Sequence, residues 1–389
     1  MPIINRVAEL AEEVAEWRRD FHQHPELLYD VHRTAARVAE LLKSFGCDEV
    51  VTGIGQTGVV GVINGRQPGS RAIGLRADMD ALPIQEIRDH AYKSTVPGKM
   101  HACGHDGHTA MLLGAARYLT ETRNFAGKAV VIFQPAEEGG AGGKAMVDDG
   151  MMDRFGVHEV YGMHNMPGLP VGHITTRPGP IMAASNSFEI RLKGLGGHAA
   201  KPHICVDPIV GGAQIVTALQ SIVARNIDPI DNAVISITRF HAGTTANNII
   251  PQTAVIGGTV RSLREETRHF LKKRFTEVVH GIAAAMGLEV ELDYEWGYPV
   301  VVNHADQTEF AAEIARGVVG PDKVTTNMEP SLGGEDFAYM LEARPGAFIF
   351  IGNGDSAGLH HPEYDFDDSV IPHGVSYWAK LVETAMPAA

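Results

Sequence analysis

The sequence predicts an α/β protein, an α/β/α portion built on a mixed, mainly parallel sheet and interrupted by an inserted α+β module. Three observations predict it. Short β-rich runs at 59–63, 72–75, 128–133 and 159–163 alternate with amphipathic helical segments, and the 128–133 run is continuously apolar, as in strands covered on both faces. Past about Ser185 the order becomes β-α-β-β-α-β, the ferredoxin-like arrangement, over a span of about one small domain. A chain of 389 residues also exceeds what one hydrophobic core usually supports. The expected division is therefore a discontinuous domain of residues 1–184 and 298–389 and an inserted domain of residues 185–297.

Each element has its own signal. Ile3, Val7, Leu10, Val14, Trp17 and Phe21 recur at helical spacing and paint one apolar stripe, which ends near His24-Pro25. A second helix is predicted over 34–45, with Gly46 where a left-handed cap is expected. The strand at 72–75 leads into Arg76-Ala-Asp-Met-Asp-Ala-Leu-Pro83, and a helix is predicted over 111–119. The apolar 128–133 strand stops at Gln134-Pro-Ala-Glu-Glu-Gly-Gly140, and the 159–163 strand stops at His164-Asn165. In the insert, strands are expected at 187–192, 233–240, 253–260 and 288–295, with helices at 207–224 and 265–286. The α/β pattern resumes with a helix at 306–317, the turn Leu332-Gly-Gly-Glu-Asp-Phe337, a strand at 347–351 and a closing helix after Asp368.

Composition narrows the function classes. Apolar residues make up 44% and charged residues 21%, which is ordinary for a folded protein and excludes long disorder. The net charge of −14, with no Lys/Arg-rich run, argues against nucleic acid. Cys47, Cys103 and Cys205 are odd in number and far apart, so a disulfide framework is not expected and a reducing compartment is favoured. The N-terminal stretch has no apolar core of signal-peptide length and no later stretch approaches a membrane span, so a cytoplasmic protein without membrane partners is expected.

The chemistry gathers around His101-Ala-Cys-Gly-His-Asp-Gly-His108. Cys103 and His105 sit one residue apart, and a thiolate with an imidazole suits zinc, cobalt, nickel or manganese better than calcium or magnesium. A dense His/Cys stretch can also be a solvated loop, so further ligands must come from elsewhere. Three strand ends present Asp, Glu and His, at the carboxyl edge where open α/β sheets carry their chemistry. Buried strands gain nothing structurally from acids and imidazoles there. Leu359-His-His-Pro-Glu-Tyr-Asp-Phe366 adds another imidazole-rich loop beyond a strand.

Six motifs in this order, Arg76 to Pro83, His101 to His108, Phe133-Gln-Pro-Ala-Glu-Glu-Gly139, Gly162-Met-His-Asn165, Gly196-Gly-His-Ala-Ala-Lys-Pro-His203 and Leu359-His-His-Pro362, resemble the amidohydrolase branch of the M20 metallopeptidases. That branch includes hippurate hydrolases, aminoacylases and auxin-conjugate hydrolases, and the likeness covers essentially the whole chain. It implies a site for two divalent metal ions, with Cys103 bridging and His105, Glu138, His164 and His360 completing the shells. It implies that Glu137 is the general base, Asp80 a supporting acid that orients a ligand imidazole or tunes the metal, and His198 an oxyanion donor reaching a partner subunit. Asn248 and Arg261 resemble the pair that binds the substrate's free carboxylate, for which a planar guanidinium is well shaped. The insert is then a lid and dimerisation domain, and a homodimer or homotetramer is expected.

Read without the resemblance, several of these residues have ordinary alternatives. Asp80 fits a turn or helix N-cap, His198 a core or surface histidine, Arg261 a strand-end salt bridge and the Glu-Glu pair a solvated loop. Asp78 stands where other M20 branches place a histidine ligand, so its role is open, and His361 competes with His360. Asp106, His101 and His108 flank the ligands in supporting or structural positions.

The expected activity is hydrolysis of an N-acyl amino acid, a small-molecule substrate, to a carboxylic acid and a free amino acid, with hippurate the first to try. The alternatives are deacetylation of an N-acetylated intermediate such as N-acetyldiaminopimelate, or a noncatalytic metal-dependent binding protein.

Overall fold

A computed structural model describes residues 3–388. The chain divides into two compact units: one holds the chain up to Ile181, Val301–Glu329 and the residues from Asp336 onward, the other Met182–Val300 and Pro330–Glu335.

In the first unit, helix α1 (Asn5–Gln23) buries Val7, Leu10, Val14, Trp17 and Phe21, the stripe read from the sequence. Helix α2 (His32–Phe45) ends at Gly46, whose φ of 84° lets the backbone turn back, and the amides of Gly46 and Cys47 reach the carbonyls of Lys43 and Leu42. Strands β1 (Glu49–Ile54), β2 (Gly58–Asn64) and β3 (Gln67–Asp78) follow, then α3 (His105–Thr122), β4 (Ala126–Gln134) and β5 (Glu159–Met166). Helix α3 starts six residues before the expected position, because a glycine-broken polar stretch carries no apolar periodicity, and yet its first turn is fully buried. Strand β5 runs through His164 and Asn165 rather than stopping before them.

The inserted unit carries β6 (Ala184–Lys193), α4 (Pro208–Asn226), β7 (Ala233–Ala242), β8 (Thr253–Ser262), α5 (Glu265–Ala285) and β9 (Glu289–Glu295). Its antiparallel sheet runs β7-β8-β6-β9, with Ile190 of β6 level with Ile256 of β8 and Leu292 of β9. Phe188, Ile190 and Leu192 point to one face and pack with Ile215 and Leu219 of α4 and Leu271, Phe275 and Val279 of α5. Asp207 caps α4, its Oδ1 accepting from the Ile209 amide at 2.8 Å. This is the ferredoxin-like order. Pro330–Glu335 falls with this unit rather than with the catalytic residues where the sequence placed it. Its carbonyls at Ser331 and Gly333 take the Ala183 amide, a pairing 150 residues apart in the chain that no local pattern announces.

Back in the first unit, α6 (Ala305–Val319), β10 (Gly346–Gly352) and α7 (Ile371–Ala385) complete the fold. The sheet runs β1-β2-β4-β3-β5-β10, followed by the two-residue strands Ile174–Thr175 and Val324–Thr325. β4, β3, β5 and β10 are mutually parallel, while β1 and β2 are antiparallel additions at one side. Asp78 is level with Gln134, and His164 with Phe350, so parallel pairing alone delivers these polar residues to one carboxyl edge. The central runs of β2 and β4 are buried without interruption, from Gly58 to Ile63 and from Ala129 to Gln134, as strands covered on both faces must be.

Candidate metal centre

The carboxyl end of β3 carries a buried charge network. The Arg76 guanidinium donates to Asp78 at 2.6 Å, to the Gln134 side-chain oxygen at 2.8 Å and to Asp336 at 3.1 Å. Burial alone would raise the Asp78 carboxyl, but Arg76, with His105 and His108, holds it well below the usual range. Its other oxygen accepts from His108 Nδ1 at 2.6 Å. Asp78 therefore anchors Arg76 and His108.

Two residues on, Asp80 is fully buried and divides its functions. Its carboxylate oxygens accept the amides of Glu137, at 2.9 Å, and Glu138, at 3.1 Å, so one side chain fixes the backbone of both glutamates. Its carbonyl accepts from His105 Nδ1 at 2.7 Å. The imidazole is thus oriented by the Asp80 main chain and the glutamate pair by its carboxylate.

The loop before α3 sets Cys103 against His105. Gly104 has φ of 87°, and a Cβ there would lie 2.3 Å from Asn165 Nδ2 and 2.5 Å from the Tyr364 hydroxyl. Both facts require glycine. Asn165 in turn donates to the Cys103 carbonyl at 2.6 Å and accepts from Tyr364 at 2.8 Å.

Around this turn the donors converge. Cys103 Sγ lies 3.4 Å from His164 Nε2, and His164 Nδ1 donates to the Asn165 carbonyl at 2.7 Å. A carbonyl can only accept, so Nδ1 carries a proton in both His105 and His164, and each Nε2 is left facing the cluster. Burial would lower His105, but Asp78 and Cys103 hold it well above its ordinary value, so a cation there would displace a proton from its Nε2. Burial, then the neighbouring His108, hold His164 well below its ordinary value, in the neutral form that binds metals. His360 Nε2 stands 3.3 Å from Glu138 Oε1, and its proximity to Cys103 and Glu138 pushes it up to about 10. His361 turns instead toward Glu363.

Overlapping groups with ligand atoms within 4.8 Å of one another include Cys103 with His105 and His164, Cys103 with Glu138 and His360, His105 with Glu137 and Glu138, and Asp78 with His105 and His108. The five donors singled out in the sequence, together with Glu137, are brought together, and Cys103 belongs to two of the groups. Among the described residues, the buried His105 Nε2 and Glu138 Oε1 have no hydrogen-bond partner. Such atoms are costly unless something else satisfies them, and a cation fits this donor set.

Supporting residues that the sequence did not single out are Asn165, Tyr364, Gln134 and Asp336, each distant in the chain. All four fall inside motifs read from the sequence, Tyr364 four residues past His360, but with no role attached to them. Asp106 points away, accepting from His22 Nδ1 at 2.9 Å, and His101 is buried with neither ring nitrogen partnered among the described residues.

The remaining expected residues belong to the inserted unit. His198 is exposed on a short ribbon, level with Ile249, and the Ala199 amide donates to the Asn248 carbonyl at 2.9 Å, so His198 and Asn248 are close neighbours. The Arg261 guanidinium on β8 makes no ion pair or hydrogen bond among the described residues, so it is not the ordinary salt bridge that the sequence also allowed, and burial depresses it.

Residues 74–384 match peptidase family M20/M25/M40. The chain is 42% identical to a hippurate hydrolase of Campylobacter jejuni over 381 residues, covering 98% of both proteins. It is 40% identical to the N-acetylcysteine deacetylase of Bacillus subtilis over 365 residues, covering 94% of each. Among solved structures it is similar to the Bacillus subtilis YXEP protein, a dinuclear metal binding peptidase of the M20 family, with 36% identity and a TM-score of 0.83 over 97% of this chain and 99% of that one. With that likeness over its full length and a donor cluster at the carboxyl edge of its parallel strands, the chain belongs to peptidase family M20/M25/M40 and is an amidohydrolase of that family.

Proposed function

We propose that the enzyme hydrolyses the amide bond of N-acyl amino acids, using two divalent cations held by Cys103, His105, Glu138, His164 and His360, with Cys103 shared. The observation that carries this reading is the Asp80 carboxylate bridging the amides of Glu137 and Glu138, which commits the pair to one geometry beside the Cys103 cluster. Cations bound there would supply Lewis acidity for a carbonyl and would lower the pKa of a water. Soft and borderline donors favour zinc, manganese, cobalt or nickel over calcium or magnesium.

The protein's own residues then divide the remaining tasks. Glu137, buried and within the His105 group, takes the proton from water and delivers it to the leaving amine. Arg261, with no partner for its guanidinium, and Asn248 hold the carboxylate of the amino-acid half. His198 is the oxyanion donor, and the inserted unit serves as lid and dimerisation module. The similarity to a hippurate hydrolase supports an aroyl substrate. The similarity to N-acetylcysteine deacetylase, and to the N-acetyldiaminopimelate deacetylase of Streptococcus sanguinis at 36% identity, supports an acetyl one.

The test is amino-acid release from hippurate and from N-acetyl amino acids, before and after chelation, and again with Glu137→Gln. We expect the chelated enzyme to be inactive. Glu137→Gln should keep its metal and lose turnover by about 10²- to 10⁴-fold. Full turnover by that variant would remove Glu137 as the base, and no release from any N-acyl amino acid would remove the substrate class.

A further inference from the structure

Behind the cluster described above, α1 and the loop between β3 and α3 enclose a second group of ligating side chains that the hydrolytic reading does not use. We propose that His22, Glu86 and His90 form an additional divalent-cation site, separate from the Cys103 centre. Their ligand atoms lie within 4.8 Å of one another. Glu86 Oε1 is 3.3 Å from His22 Nε2 and 2.8 Å from His90 Nε2. Imidazole and carboxylate donors bound tetrahedrally to zinc, at roughly 2.0–2.1 Å each, stand roughly 3.3 Å apart. The first pair already has that spacing, and the second needs a shift of about half an ångström.

The surroundings prepare each donor. Asp106 accepts from His22 Nδ1 at 2.9 Å, the carboxylate–histidine arrangement that sets a ligand imidazole with Nε2 forward. Glu86 spends its other oxygen on the Ser94 amide, at 2.7 Å, which leaves Oε1 for the group. His90 Nε2 is close to Oε1, yet neither of its ring nitrogens makes a hydrogen bond among the described residues. Its ring is therefore aimed at a point beside the carboxylate rather than at it. His101, its ring centroid 6.3 Å from that of His22, adds a second buried imidazole with both nitrogens unpartnered. The nearby positive charge of Arg18 is taken up by Asp106 and Asp368, so Glu86 is free to balance a cation.

Without a cation the same residues form an ion network. Burial pulls the His22 imidazole down, but its hydrogen bonds to Asp106 and Glu86 prevail and hold it at about 9. That network satisfies His22 and leaves His90 and His101 unsatisfied, and the cation accounts for His90.

The experiment compares zinc bound per chain in the full-length protein and in His90→Ala, after chelation and reloading with zinc alone, by equilibrium dialysis and elemental analysis. His90 lies outside the hydrolytic machinery and is partly exposed, so the variant should fold and keep its turnover. We expect the wild type to bind one more zinc than His90→Ala, and Glu86→Gln to show the same deficit. Cobalt reloading should show a visible absorption difference between the two proteins. Equal stoichiometry would overturn the site and identify the network as purely structural. Because only the difference is read, the result is independent of how many ions the Cys103 centre holds, and failure of the hydrolytic reading would leave it unchanged.

Discussion

At the scale of single residues, the donor cluster depends on groups whose own polar atoms are spent inside the protein. Asp80 is the clearest case, since both of its oxygens are committed to the amides of Glu137 and Glu138. Asn in its place keeps one acceptor and turns an NH₂ group toward the second amide, where two donors then face each other in a buried site. A lost charged hydrogen bond of this kind costs about 1.5–3 kcal/mol, and outer residues of metal sites typically change affinity by about 10- to 100-fold. Asp80→Asn should therefore weaken zinc binding by that factor, measured by competition with a chromophoric chelator, with turnover falling in parallel. A variant that binds zinc as tightly as the wild type would show that the glutamates hold their positions unaided. The sequence offered an acid that orients a ligand imidazole or tunes the metal. It could not tell that the main chain of Asp80 orients His105 while its side chain holds the glutamates, because spacing records residue types and not which atom faces which neighbour.

At the scale of elements, the donors were legible where periodicity and strand ends expose them, and hidden where one element passes into the next. His105 sits in the first turn of α3, a helix expected six residues later because His105-Asp-Gly-His reads as polar loop. His164 lies inside β5 and not beyond it, since a buried polar pair interrupts the apolar run that marks a strand. Both misreadings have one cause: a functional turn buries polar residues, and local patterning treats polarity as exposure. Gly104 joins the two elements. Alanine there meets the left-handed backbone penalty of roughly 1–2 kcal/mol and puts its methyl into Asn165 and Tyr364, both buried and hydrogen-bonded to each other. Overpacking of this kind costs about a further 1–3 kcal/mol. Gly104→Ala should lower the stability of the first unit by roughly 2–5 kcal/mol in urea unfolding and reduce zinc occupancy at the same time. Adding Tyr364→Phe should recover part of the loss by removing the hydroxyl oxygen that the new methyl meets. Unchanged stability in Gly104→Ala would mean that the turn relaxes without cost.

At the scale of the whole molecule, the two-unit organisation follows from two separate cores. One gathers around Trp378, Phe133 and Leu113, the other around Phe188, Phe275 and Ile256, and each is drawn from its own unit. The alternation along β6 and the apolar stripes of α4 and α5 made the inserted unit readable as a block of sequence. The return of Pro330–Glu335 to it was not, because a six-residue segment pairing with residues far away in the chain has no local signature. The proposed metal donors all belong to the first unit, so a ligand that binds only the folded centre stabilises that unit and leaves the other core untouched. At about a thousandfold excess over its dissociation constant, each such ligand contributes about 4 kcal/mol, worth roughly 10 °C in a unit of this size. Calorimetry of the zinc-loaded protein and of the same protein with chelator should therefore show one transition moving down by about that amount for each cation removed while a second stays in place. Tryptophan fluorescence should assign the moving one, since Trp17 and Trp378 lie in the first core and Trp296 in the inserted unit. If both transitions moved together, the two units would not unfold independently; if neither moved, the centre would not be coupled to the folding of its own unit, and the unsatisfied His105 and Glu138 atoms would need another explanation.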